Sequence, residues 1–190
     1  PLGLMKALGR RQRFGILQID AHLDLRDAYQ GYRQSHASIM HNACDVEGVE
    51  RIVSVGVRDF CQPEWQRVQQ DSRLVSFTDR TLFQRMQTHS WRDCVDQIID
   101  ELPEQVYISF DIDGLDPSLC PSTGTPVPGG LTFAQAMMLL EHVAQRRRVI
   151  GFDLCEVVPD PAGKSEWDLN VGARILYKLC GAAVHSNREA

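Results

Sequence analysis

Long apolar runs, paired cysteines and surplus positive charge are all missing from this sequence of 190 residues. No stretch approaches the roughly 18 to 20 consecutive apolar residues that cross a bilayer as a helix, which argues against a helical membrane protein. The six cysteines (Cys44, Cys61, Cys94, Cys120, Cys155 and Cys180) are scattered and form no CxxC pair. They do not match the disulfide framework of a small secreted domain, and read as free thiols used as small buried hydrophobes. Lys and Arg number 20 against 25 Asp and Glu, a net charge of −5 with a pI near 5.7. A binder of nucleic acid or of anionic membrane needs a basic face, so both are disfavoured and a small molecule is the expected ligand. The opening PLGLMKALGRRQRFG lacks the order of charge, apolar core and cleavage site of a secretory leader, and a cytoplasmic location is expected.

What the sequence does have is material for a core. With 43% hydrophobic residues, no internal repeat and no long linker, it reads as one domain over residues 1–190. Apolar, β-branched runs at 14–20, 51–57, 74–77, 106–112 and 149–157 have strand length. They alternate with helical patterns at 38–45, 63–70, 80–86, 91–102, 132–145 and 170–179, the order of a parallel α/β sheet buried on both faces. Ser90 and Thr132 stand where helix starts are expected. The opening LGLMKALGRR is itself helical in pattern, with Pro1 as a first-turn residue. A doubly wound domain normally begins on a strand, so the sequence is expected to start inside its domain.

In open α/β sheets ligands bind beyond the carboxyl ends of the strands. There the sequence carries DAHLD after the first run and SFDIDGLDPS at the fourth. If the strands stay extended, Asp20, His22 and Asp24 point to one side by period-two geometry, and Asp111 and Asp113 do the same. Carboxylates crowded into one pocket repel each other unless a cation neutralises them. Hard oxygens with an imidazole suit Mn²⁺, Mg²⁺ or Fe²⁺ better than a thiolate-lined zinc site does. Five ligands from two segments allow a carboxylate to bridge two ions, a pairing that generates a hydroxide nucleophile near neutral pH. A lone DxD also fits a Mg²⁺ site for phosphate or a solvated strand end. Its pairing with DxHxD is what points to metal.

These motifs, together with SHAS (35–38), TGTPVPGGL (123–131) and GFDLCEV (151–157), resemble in order and spacing the ureohydrolase family of arginase, agmatinase and formimidoylglutamase. The resemblance implies a three-layer α/β/α fold with a mainly parallel sheet and two Mn²⁺ ions per site. It implies Asp20, His22, Asp24, Asp111 and Asp113 as metal ligands, Asp20 and Asp111 bridging. A hydroxide held by the metals would attack the central carbon of a guanidinium or formimino group. His36 resembles the family's acid/base histidine, with a surface loop histidine as the alternative, and Asp24 is a second proton carrier near the hydroxide. Glu156 is similar to the glutamate that pairs with the substrate guanidinium. It ends a run expected to be buried, where a carboxylate needs a partner, either the substrate or an internal arginine such as Arg58. Asp153, two residues earlier, is a hydrogen-bond acceptor behind the site or a structural anion. The Thr125 hydroxyl, in a Pro/Gly-rich loop, lines the pocket or belongs to an ordinary turn.

Full-length members carry one more metal-binding histidine in a GGDHS-like segment before the DAHxD strand. PLGLMKAL resembles the stretch directly after that segment, so the fold is expected to miss its first strands and to hold one ion better than the other. Arg26 or Arg33 could clamp a substrate carboxylate, as formimidoylglutamate would require, or be solvated or paired with Asp27. Agmatine needs no such clamp, and SHAS with GFDLCEV favours an agmatinase-like activity, ahead of formimidoylglutamase or arginase. The resemblance also implies a homo-oligomer, a trimer or hexamer. Two other classes stand beside this reading: a noncatalytic remnant or binding domain, and a metal-dependent deacetylase with a mononuclear zinc site.

Overall fold

The computed structural model describes residues 1–188. At its centre lie β1 (Phe14–Ile19), β2 (Val49–Val55), β3 (Leu74–Phe77), β4 (Gln105–Asp111) and β5 (Arg148–Cys155). All pair in parallel, in the order β3-β2-β1-β4-β5. Helices α1 (Leu2–Gly9), α2 (Ile39–Ala43) and α3 (Gln62–Gln70) cover one face. On the other lie α4 (Asp79–Met86), α5 (Trp91–Asp100), α6 (Phe133–Arg146) and α7 (Trp167–Ser186). Alternation along each strand feeds both layers. Phe14 and Ile16 of β1 join the core under α1 to α3, whereas Leu17 and Ile19 join the core under α5 to α7. The result is the expected α/β/α sandwich. Among the described residues no helix is long and apolar enough to cross a membrane.

The five strands form within two residues of the expected positions. Ser90 and Thr132 cap α5 and α6, each accepting a backbone N–H three residues on within a capping box. Two helices differ from expectation. Residues 36–45 divide into a 3-10 turn (His36–Ser38) and the short α2. Helix α7 has 20 residues and not the ten of 170–179. Glycines weaken the helical signal there, yet Gly172 packs so close to Val157 that a Cβ would come within 2.6 Å of its Cγ1. Tertiary contact therefore pins a stretch that local propensity leaves open. The cysteines are all free, but Cys180 is exposed on α7 and Cys61 and Cys155 are only partly buried, so the interior assignment holds for Cys44, Cys94 and Cys120.

Strand order fixes where a ligand belongs. From β1 the chain moves outward through β2 to β3, then returns to the other side of β1 as β4. The carboxyl ends of β1 and β4 flank this reversal, the position at which open α/β sheets bind ligands.

Candidate metal and active site

DAHLD comes after β1 and Asp111 closes β4, but neither segment stays extended as expected. The strand ends at Ile19, and Asp24 has a φ of +55°, in the left-handed region. Asp113 lies in a 3-10 turn (Ile112–Gly114), its N–H donating to Asp111 Oδ1 at 3.0 Å. Beyond the strand ends only isolated bridges remain, His22 with Asp59 and Leu115 with Leu131, so turns more than a continuous ladder aim these groups. Gly114 lets the turns meet: a Cβ there would lie 2.7 Å from the Asp20 nitrogen.

The two turns are bound to each other. Ala21 N–H donates to Asp113 Oδ1 at 3.1 Å and His22 N–H to Asp20 Oδ1 at 2.7 Å. His22 Nδ1 lies 3.2 Å from Asp113 Oδ2 and 3.4 Å from Asp20 Oδ1. Asp20, His22 and Asp113 thus each offer one ligand atom within 4.8 Å of the others. Asp24 and Asp111 stand outside this triad and border, with Asp20, a cavity of about 410 Å³. His36 and Glu156 border the same cavity, which has no lysine or arginine in its lining. A narrower cleft of about 140 Å³ shares Asp24 and His36 and reaches His22, Arg26, Glu64 and Thr125. A third hollow of about 490 Å³, between α6 and α7, contains none of the expected site residues.

Electrostatics reflect this crowding. Burial, joined by repulsion from neighbouring carboxylates, raises Asp20, Asp24 and Asp111, with Asp24 pushed up to about 9 and Asp111 to about 10. Burial also opposes a charge on His22, but its hydrogen bonds to the Asp113 and Asp20 carboxylates prevail and push it up to about 11. Asp113 moves the other way: burial is outweighed by His22 and the Ala21 N–H, which hold its carboxyl below the ordinary value. Four carboxylates and one imidazole share this space, so protons must be held where positive charge is short. Hard oxygen donors with a single imidazole fit divalent cations, which would displace those protons.

The remaining expected residues take separate places around this group. Glu156 is exposed, one residue past β5 with a φ of +61°, and is not buried as expected. The chain has already left the sheet there, so burial does not demand a partner. Nor is Arg58 that partner, since its guanidinium donates to the carbonyls of Gly56, Asp113, Leu115 and Val127. Thr125 Oγ1 donates to Asp113 Oδ2 at 3.3 Å. His36 is exposed, its ring edge-on to Tyr29 with centroids 5.4 Å apart. Arg26 lies over the Tyr29 ring and 3.8 Å from Glu64, facing the narrow cleft. Arg33 pairs with Asp27 at 2.9 Å. Asp153 accepts from Ser109 Oγ at 3.1 Å.

A family model described as the arginase family matches residues 1–181. The chain belongs to that family. An N(1)-aminopropylagmatine ureohydrolase of Thermus thermophilus is 37% identical over 177 residues, which are 93% of this chain and 55% of the relative. An agmatinase of Pyrococcus horikoshii is 37% identical over 163 residues, 85% of this chain and 53% of that protein. The chain thus spans about half the length of these relatives. In fold it is similar to the proclavaminate amidino hydrolase of Streptomyces clavuligerus, with a TM-score of 0.82 and 24% identity over 98% of this chain and 61% of that one.

Three residues of this arginase-family site escape a sequence reading. Arg58 ties the turn after β4 to Gly56 and to Val127 of the 123–130 loop through backbone carbonyls alone, which no motif announces. Glu64, almost fully buried, accepts Leu25 N–H at 3.0 Å and Cys61 N–H at 2.9 Å, fixing the peptide after Asp24. Its only local sign is a capping box with Cys61 at the start of α3. Gln18 carries a clearer signal, as a polar residue inside an apolar strand: its Nε2 donates to Asp20 Oδ2 at 2.9 Å.

Proposed function

We propose that this chain forms the catalytic part of a hydrolase that cleaves a C–N bond of a linear guanidino compound and releases urea, agmatinase-like in substrate. The supporting observation is the convergence of Asp20, His22 and Asp113 from two strand ends, beside a cavity ringed by Asp24, Asp111, His36 and Glu156. Asp20, His22, Asp24, Asp111 and Asp113 are the proposed holders of two Mn²⁺ ions. Bound there, such ions supply Lewis acidity and lower the proton affinity of water.

The chain's own groups do the rest. Glu156 meets the planar guanidinium with its carboxylate, and the Thr125 hydroxyl helps to define the wall beside Asp113. His36, exposed at the junction of the two cavities, carries a proton to the leaving nitrogen, with Asp24 as the second carrier. Agmatine is favoured over arginine or formimidoylglutamate because the acidic cavity offers no lysine or arginine to a substrate carboxylate, and Arg26 is occupied by Tyr29 and Glu64. A cytoplasmic location and a trimeric or hexameric assembly complete the reading.

The test is product release from this chain with added Mn²⁺. Urea from agmatine, with at least about tenfold less from arginine and no formamide from formimidoylglutamate, is the expected result. Failure to release either product from any of the three at any Mn²⁺ concentration would instead favour a noncatalytic remnant or binding domain.

A further inference from the structure

A row of polar side chains crosses the apolar sheet directly beneath the acidic turns. Parallel register places Ser76 beside Ser54, Ser54 beside Gln18, Gln18 beside Ser109, and Ser109 beside Asp153. Laterally paired residues share a sheet face, so all five lie on the side covered by α1 to α3. Such a row costs free energy in a core unless it is hydrogen-bonded, and its centre is. Gln18 is buried, and Ser54, also buried, donates from Oγ to Gln18 Oε1 at 2.6 Å. That leaves Gln18 Nε2 directed upward, where it donates to Asp20 Oδ2 at 2.9 Å and to the His22 carbonyl at 3.2 Å.

Both donations land in the acidic turn after β1. The first fixes the rotation of the Asp20 carboxylate, whose other oxygen already accepts from His22 N–H. The second holds the backbone of His22. Because an amide donates at one end only, and Ser54 engages the accepting end, the orientation is set by bonding and not by shape alone.

We propose that Gln18 is a positioning residue for metal binding, which orients Asp20 and the His22 backbone toward the ion and is itself oriented by Ser54. This inference rests on the proposed metal role of Asp20 and His22. A partner behind a metal ligand typically changes affinity by about 10- to 100-fold when it is lost.

The test is titration of the chain with Mn²⁺ alone, following the free-ion paramagnetic resonance signal, alongside melting in chelator. Gln18→Glu keeps size and the bond from Ser54 but turns an oxygen toward Asp20, and should weaken Mn²⁺ binding by at least about tenfold. Gln18→Met keeps volume without a donor and should do the same, and it decides the matter should the Glu variant fail to fold. Ser54→Ala frees the accepting end of the amide without removing its donor, and should weaken Mn²⁺ binding measurably but by less than either Gln18 variant. Wild-type affinity in folded Gln18→Met or Gln18→Glu overturns the inference while leaving the proposed function standing. Absence of Mn²⁺ binding by the unaltered chain overturns both.

Discussion

His22 Nδ1 sits 3.2 Å from Asp113 Oδ2, joining the turn after β1 to the turn after β4. The contact makes one charged unit of two turns, and it explains why His22 is drawn strongly toward its cation while Asp113 stays ionised. Neither group meets its ordinary solution environment. A cation entering the site competes with the proton on His22 for the same carboxylates.

The metal-free chain should therefore lose stability as pH rises. In the unfolded chain Asp24 and Asp111 release their protons near 3.8 and His22 near 6.5, whereas the fold retains them to about 9, 10 and 11. Between these limits the native state binds more protons than the unfolded state, so the free energy of unfolding falls with pH. Asp113 works in the opposite sense, but only below its ordinary value of 3.8, outside this window. In chelator the urea midpoint is expected to be higher at about pH 5 than at about pH 8.5, and saturating Mn²⁺ should raise it more at the higher pH. A metal-free midpoint that climbs over that interval would contradict the crowded-carboxylate account.

His36 should separate from the metal-binding groups. It borders both cavities and packs edge-on against Tyr29, and it offers no atom to the cluster of Asp20, His22 and Asp113. His36→Asn is expected to slow urea release by about 100-fold, the usual size of a lost proton carrier, with Mn²⁺ content by atomic absorption unchanged. Loss of metal in step with rate would assign the residue to ion binding.

Gly114 should tolerate no side chain. A Cβ at 2.7 Å from the Asp20 nitrogen forces the two acidic turns apart. Overpacking of this kind costs about 2 kcal/mol, or a fall in melting temperature of roughly 4 to 8 °C for a chain of this size, and Mn²⁺ affinity should drop with it. Gly181→Ala, in α7 with nothing within 4 Å, is the control and should melt no lower than the unaltered chain. Equal melting and equal affinity for the Gly114 variant would show that the turns do not depend on their close approach.

The sheet was legible because its signals are local. Apolar runs of strand length mark β1 to β5, and capping boxes mark the starts of α5 and α6. The meeting of Asp20, His22 and Asp113 was legible for a similar reason, since DAHLD and SFDID put acidic and imidazole groups at strand ends. Their geometry was not. Period-two alternation fails once the chain leaves the ladder at Ile19, and Asp24 takes its place from a left-handed backbone held through Leu25 by Glu64, 39 residues further along the sequence. Glu156 illustrates the same limit: its run reads as buried, but the strand stops at Cys155 and the carboxylate emerges into solvent. Long-range hydrogen bonds made through backbone groups, such as those of Arg58, leave no trace in a residue pattern.

The hydrogen bond from Ala21 to Asp113 closes a loop of 92 residues. Half of the acidic cluster comes from each side of that loop, so no short fragment can assemble it. Pairing of β1 with β4 carries a large chain-closure cost and belongs to the slower contacts of a parallel sheet. The ion-binding geometry therefore arises only once the two central strands have met, and uptake of a divalent cation during refolding would time that meeting.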